Sequence, residues 1–539
     1  MIFISKYNIV QFLSAASIAF ICSLTACKKN ENIGKDPYGD AKPPLDLKVN
    51  AVASSPVQGD IASTVTLTGS GFLKYKTALS ILFNGEKGEV LSLSDTEAKV
   101  KVPEWASSGV ITVMVGAQIL PGPKFRVNGN TKTDKTFNSY VGANEDINNI
   151  TALPDGRMLI VGNFTDYNNS GIRSGYSKLA IISAEGTLDK SFKPGKGIPS
   201  GSLAKAALLL DGKILIGGQF NTYNNKKDRI GNIGKISLSG AMDSTIYSFI
   251  DRSGEPKKDT VPSFGAFFDG PVTEMMVQPD GNIIVAGAFK YYMTKRYYPN
   301  QKDTIITDSV IVNNIARIKP DGALDKTYNF NQSANRANDN FNGYIYDAYM
   351  QADGKIIVAG AFSSYNGENT NRIARINTDG TLDKTFITGS GPNDLISSIQ
   401  PYPNGQILIS GSFSAFNGKA IARVAILNQN GNVEERFNTG AGADGAVTLA
   451  VRLGNGKILL TGPFQKFNGI NRNGFAIVEP TGQLSANNNT IGGFTFSDNR
   501  FRKPVFDVIN TDNGAAAILV GGFNSLDLQQ NNRLVKITY

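Results

Sequence analysis

Gln351-Ala352-Asp353-Gly354-Lys355-Ile356-Ile357-Val358-Ala359-Gly360-Ala361-Phe362 is followed, after a loop, by Asn371-Arg372-Ile373-Ala374-Arg375-Ile376-Asn377-Thr378-Asp379-Gly380-Thr381-Leu382-Asp383-Lys384-Thr385-Phe386. Each half reads as a β-hairpin. The Asp-Gly pairs supply the positive φ that tight turns require, and the Ile/Val runs supply strands. Four strands in succession make one antiparallel meander.

The unit recurs from residue 131 at roughly 50–70-residue spacing, the length of a propeller blade. A phenylalanine closes the second strand seven times: Phe164, Phe220, Phe289, Phe362, Phe413, Phe464 and Phe523. In six copies it lies nine residues after the turn's Asp155, Asp211, Asp280, Asp353, Asn404 or Asn455; after Asn513 the offset is ten. A constant register means that one side chain fills one slot in every copy. These copies resemble the delta-60 repeat family of β-propellers, which implies a seven-bladed propeller over 131–539. The last copy ends in Arg533-Leu534-Val535-Lys536-Ile537-Thr538-Tyr539, a third strand. Asp134-Lys135-Thr136-Phe137 repeats Asp383-Lys384-Thr385-Phe386. Residues 134–138 are therefore expected to give the last blade its fourth strand and remove a free sheet edge.

Residues 47–127 read differently. Ser55-Pro56-Val57-Gln58-Gly59 leads into Val65-Thr66-Leu67-Thr68-Gly69-Ser70-Gly71-Phe72, Ile81-Leu82-Phe83-Asn84-Gly85, Ala98-Lys99-Val100-Lys101-Val102-Pro103 and Val110-Ile111-Thr112-Val113-Met114-Val115. Short alternating strands between Gly, Pro and Asn-Gly turns make a small β-sandwich. The order resembles the IPT/TIG family of immunoglobulin-like domains, which implies a spacer or interaction module. Trp105, the single tryptophan, falls in a loop and is expected to pack on the sandwich edge. The fold class expected for the whole chain is all-β.

Lys6 precedes an apolar stretch, Ile9 to Leu24, too short for a membrane span and suited to a signal-peptide core. It ends in Leu24-Thr25-Ala26-Cys27. This resembles the bacterial lipobox, which implies cleavage after residue 26 and acylation of Cys27. Residues 27–46, with Pro37, Pro43 and Pro44, then form a flexible tether. An outer-membrane lipoprotein of the cell envelope is the expected location, with the membrane as a partner through that lipid.

Composition narrows the chemistry. The 539 residues contain 54 Lys+Arg against 45 Asp+Glu, a net +9 that falls to +8 without the first 27 residues. The excess is thinly spread, so no nucleic-acid partner is expected. Histidine is absent, which excludes a His base, a His-ligated metal and a Ser-His-Asp triad. Cys22 and Cys27 are the only cysteines, so residues 28–539 carry no disulfide, thiolate nucleophile or Cys-based zinc site. No calcium loop of the Asp-x-Asp-x-Asp-Gly type occurs, and no cofactor is expected.

The meander also assigns loops to faces. Asp-Gly turns between strands 1–2 and 3–4 share one face. The 2–3 and 4–1 loops share the other, and these carry the insertions 165–177, 250–271, 290–313 and 329–343. Inserted loops on a repeat scaffold tend to carry function. The richest holds Tyr291, Tyr292, Arg296, Tyr297 and Tyr298, the candidate ligand-binding residues: tyrosine offers a flat ring and a hydroxyl, and arginine offers a fork for carboxylates. Phe264, Phe267 and Phe268 read as a local mini-core, and the recurring Arg317, Arg375 and Arg423 as structural. The acids Asp251, Glu255, Asp259, Asp269, Asp303 and Asp308 lie in the same loops, but spacing alone does not make a glycosidase pair of them. The linker 128–133 reaches ~20 Å at most, which places the sandwich on the plain, Asp-Gly-turn face.

The functional expectation is a lipid-anchored, non-enzymatic binding protein for a glycan or glycoprotein. The architecture resembles accessory lipoproteins of glycan-uptake systems. Two alternatives stand beside it: a structural or protein-interaction lipoprotein, and, less favoured, a glycoside hydrolase or lyase. Replacing Cys27 by Ala should leave uncleaved precursor and abolish incorporation of labelled fatty acid; unchanged labelling contradicts the lipobox.

Overall fold

A computed structural model describes residues 45–169, 177–227, 230–251, 253–297, 305–496 and 503–539. Cys27 and Tyr298 lie outside them, as do the tether up to residue 44 and Asp303. No α-helix occurs among the described residues, so none is long and apolar enough to cross a membrane. Of Met1–Lys48 only the last four residues are described; Val49–Tyr539 forms one unit.

Within that unit, seven sheets among the described residues repeat one three-strand antiparallel order. Their first strands are Ile147–Ala152, Ser202–Leu208, Val272–Val277, Tyr344–Met350, Ile396–Pro401, Leu449–Arg452 and Val505–Thr511. Each touches the next, and the seventh touches the first, so the series closes into a ring with these strands innermost. The second strands are buried along nearly their whole length, and Ile283–Gly287 and Ile407–Gly411 at every position. They are covered on both faces by neighbouring sheets, which is why they read as unbroken apolar runs. The seven marker phenylalanines are all buried, at 5% exposure or less.

A fourth element pairs by a single bridge in six sheets, as Ile376 with Leu382 and Ile318 with Leu324. In the seventh, Lys132 pairs with Thr538 and Thr133 with Ile537, and the Asp134 N–H donates to Lys536 O at 2.8 Å. N-terminal residues thus complete the last sheet, but two residues earlier than the repeat suggested. Asp134 ends the strand because its carboxylate takes the Thr136 amide at 2.9 Å, as Asp383 takes that of Thr385. Such an Asx turn pulls the chain away from the ladder.

Neighbouring sheets are also clasped by cations. Arg375 bonds Asp383 at 2.7 Å, Thr385 at 3.0 Å and the Gln429 carbonyl of the next sheet at 2.5 Å. Arg317 repeats this with Asp325, Thr327 and Thr378 O. The expected structural role holds for these two. Arg423 occupies another slot: its φ is +70°, as Arg372 has +62° and Arg533 +71°, and it donates to Ser412 O.

Residues 58–127 form a two-sheet sandwich around Val65, Leu67, Ile81, Phe83, Ile111, Val113 and Phe125. Its position corrects the expectation from linker length. Ser108 N–H donates to Thr490 O at 2.8 Å, and Asn471 N–H to Glu86 at 3.0 Å. Arg472 donates to Trp105 O at 3.1 Å and Arg126 to Asp527 O at 3.1 Å. Residues 471–472 and 527 belong to 2–3 loops and 490 to a 4–1 connection, so the sandwich docks on the insertion-bearing side of the last two sheets. Trp105 is half-buried in this contact, with the Arg472 guanidinium 5.9 Å from its ring. The reach argument failed because a five-residue strand is only ~17 Å tall. The linker climbs the outer rim, where the Asn130 N–H meets Asn487 O at 2.8 Å.

Burial raises the Asp383 carboxyl, but Lys355, Thr385 and Arg375 outweigh it and hold the group well below the usual carboxylate range. Arg375→Ala should cost about 3 kcal/mol in urea unfolding near neutral pH, the loss typical of breaking a buried pair. The loss should shrink as pH falls below the carboxylate range, where Asp383 protonates. A cost under about 0.5 kcal/mol would mark the clasp as an ordinary surface pair.

Candidate binding site

The inner strands meet at one slot. Six residues before each turn Asp or Asn stand Asn149, Lys205, Glu274, Asp347, Ser398, Leu449 and Asp507. In six of the seven strands a β-bulge precedes this position, at Asn148, Ala204, Thr273, Tyr346, Ser397 and Phe506. A bulge turns two successive side chains towards the same side. Both sets therefore face the channel, near the end where the 4–1 loops enter. All of them except Asn149 line a cavity of about 240 Å³ together with Gln400 and Lys503.

Part of this ring is mortar. Asp507 accepts the Ile150 N–H at 3.1 Å and the Asn149 amide at 2.5 Å. Asn149 accepts the Ala206 N–H at 3.0 Å, and Asp347 that of Ile399 at 2.7 Å. Each bond runs from the slot in one sheet to the next inner strand. Between the second and third sheets an ion pair replaces it, Lys205 Nζ to Glu274 at 3.1 Å.

Electrostatics set Glu274 apart. Burial pushes its carboxyl up to about 7, against the pull of Lys205 and with Asp347 adding to the rise. Burial raises Asp347 as well, opposed by Lys205 and the Ile399 amide. Glu274 lifts Lys205 above the usual lysine range. Burial lowers Lys503, whose ammonium lies 5.4 Å from the Phe506 ring centre. Two aromatic rings, amide and hydroxyl groups and charges of both signs thus surround one small space. Among the described residues no carboxylate cluster has the arrangement of a metal site.

The sequence candidates stand elsewhere. Tyr291–Tyr297 pairs with Ile305–Ile311 as a hairpin. Tyr291 is half-buried beneath Lys290. Tyr292 is 5% exposed and donates to Gly322 O at 2.9 Å. Tyr167, Tyr223 and Tyr365 make the same bond to Gly186, Gly240 and Gly380, so Tyr292 is the repeat's packing tyrosine. Arg296 and Tyr297 belong to the hairpin's backbone ladder. Phe264 and Phe268 are buried, Phe268 against Phe289, as a mini-core. Asp251, Glu255 and Asp259 lie on a separate hairpin, Ser244–Ile250 with Pro256–Pro262. Asp269 accepts the Lys290 and Tyr291 amides. None of these acids lines the channel cavity. A groove of about 420 Å³ on the turn side holds Tyr349, Tyr402 and Arg375, but Arg375 is spent on its clasp.

Residues 52–127 match the model of the IPT/TIG domain, and residues 153–192, 210–230 and 351–386 match that of a β-propeller described as a domain of unknown function, DUF5122. The chain joins an IPT/TIG domain to a DUF5122 β-propeller. Other likenesses are distant. The WD40 β-propeller domain of Doa1 is 14% identical, with 76% of this chain and 97% of that one covered and a TM-score of 0.40. An auxiliary nutrient binding protein from Bacteroides ovatus is 12% identical, with 92% and 99% covered and a TM-score of 0.31. A cyclomaltodextrin glucanotransferase of Bacillus sp. is 28% identical over 114 residues, 21% of this chain and 15% of that protein's length. The ring of seven sheets supplies every lining residue of the channel cavity, and the IPT/TIG domain docks beside its 2–3 loops.

Glu274 should titrate near pH 7 when followed by carbon NMR of labelled glutamate side chains. An unfolded glutamate titrates at about 4.3, so the folded state holds the proton more tightly. The stability this gives is present below about pH 4 and lost as pH rises through 7. Wild type should therefore lose stability relative to Glu274→Gln across that window. A midpoint near 4 contradicts the burial argument.

Proposed function

We propose that this chain is a lipid-anchored binding protein of the outer membrane that holds a glycan, free or on a glycoprotein, at the mouth of its propeller channel. The observation that carries this reading is the cavity ringed by Tyr346, Phe506, Asn148, Ser397, Ser398, Gln400 and the charged slot residues. Aromatic faces beside converging polar groups suit a ring that is apolar on its faces and hydroxylated at its rim. The volume is below the ~300–1,000 Å³ usual for larger ligands, so one sugar unit would enter. The lipobox at Cys27 supports the anchor, and the IPT/TIG domain would serve as the spacer.

A structural or protein-interaction role is the second reading. It is favoured by the Ser244–Ile250 hairpin, which leaves Ile246 68% exposed. A hydrolase or lyase is the third, since burial raises the proton affinity of Glu274, which lines the cavity with Asp347 and Asp507.

A glycan array probed with the mature protein tests these readings. Tyr346→Ala with Phe506→Ala should weaken retention about tenfold or more, from ~0.5–1.5 kcal/mol per aromatic contact, while Tyr291→Ala leaves it unchanged. The reverse pattern would move the site to the Tyr291 hairpin. Retention of no glycan would favour the second reading, and cleavage of a retained one the third.

A further inference from the structure

We infer that the channel-mouth site selects a sugar bearing a free ammonium group over a neutral or acidic one. The inference rests on the glycan reading above and names the class of sugar. Five charged side chains of the described residues line the cavity: Lys205 and Lys503, Glu274, Asp347 and Asp507. Among these five, one carboxylate is in excess.

The charges come from four of the seven sheets. Lys205 stands on Ser202–Leu208, Glu274 on Val272–Val277, Asp347 on Tyr344–Met350 and Asp507 on Val505–Thr511, with Lys503 just before that strand. Lys205 spends its charge on Glu274 at 3.1 Å. Asp507 spends its oxygens on Asn149, Ile150 and Val508, and Asp347 on Ile399 and Ala348. Hydrogen bonds from amides favour the ionised carboxylate. The excess negative charge is then met either by a proton or by a cation entering the cavity. Burial raises the proton affinity of Glu274, and the neighbouring Asp347 and Asp507 raise it further.

An ammonium group on a bound ring would take the proton's place. Tyr346, from the fourth sheet, adds an aromatic face that attracts cations; across the ring, Phe506 of the seventh sheet already faces the Lys503 ammonium at 5.4 Å. A carboxylated sugar would instead bring a fourth negative charge into a poorly solvated space. A neutral sugar would leave the excess to be met by a proton alone.

Calorimetric titration of the full mature chain with glucosamine, glucose and glucuronate, at pH 7 and low salt, tests the inference. Glucosamine should bind at least tenfold more tightly than the other two. Glu274→Gln, which removes the excess charge, should bring the three close to parity. Lys503→Met, at the cavity mouth, should widen the preference and does not depend on the Lys205–Glu274 pair for folding. Equal or tighter binding of glucose or glucuronate overturns the inference and leaves the glycan reading standing. Binding of none of the three overturns both.

Discussion

The backbone N–H of Ile150 donates to the carboxylate of Asp507, 357 residues away in sequence. This bond sits on the seam where the seventh sheet meets the first. Farther out, Lys132 and Thr133 pair with Thr538 and Ile537 to finish the seventh sheet. A ring of sheets is only as stable as this closure. Without it, two sheet faces rich in Ile, Val and Phe would meet water, and one strand edge would stay open to other chains. Closing so long a loop costs entropy that grows only slowly with length. Buried apolar surface on both sides of the seam offsets it, as with Ile150, Ile160, Ile518 and Val520 in one core.

The same slot that bonds the sheets together also faces the channel, so a ligand held there, as proposed, would touch the groups that hold the ring. Asp507, Asn149 and Asp347 are held by neighbouring amides, so their geometry is set before any ligand arrives. Preorganised polar groups of this kind lower the cost of ordering on binding. Where the slot is not a hydrogen-bond acceptor, it carries Lys205 or Leu449 instead. The price is paid at Glu274, whose burial beside other carboxylates is unfavourable in the ionised state.

The repeat was legible because turns and closing phenylalanines are set by backbone demands that recur in every copy. The fold class, the sandwich and the completion of the last sheet by N-terminal residues followed from them. The channel site was not read, although its slot stands at a constant distance before each turn. The bulge hides it: one extra residue breaks the period-two alternation, so Asp347 and Tyr346 appear to point to opposite faces when both point inward. Tyr292 looked like part of a surface cluster because its neighbours are tyrosines. Its partner signal was the tyrosine three residues after four of the seven marker phenylalanines, as in Phe164 and Tyr167 or Phe362 and Tyr365. The side on which the IPT/TIG domain docks was beyond sequence reasoning, because a linker's reach limits distance and not direction.

A crystal structure of the mature protein soaked with glucosamine tests the account most directly. The account predicts density for one ring in the channel mouth, flanked by Tyr346 and Phe506, with its nitrogen towards Glu274. An empty channel, with density instead on the Tyr291 hairpin or in the groove of Tyr349 and Tyr402, would contradict it.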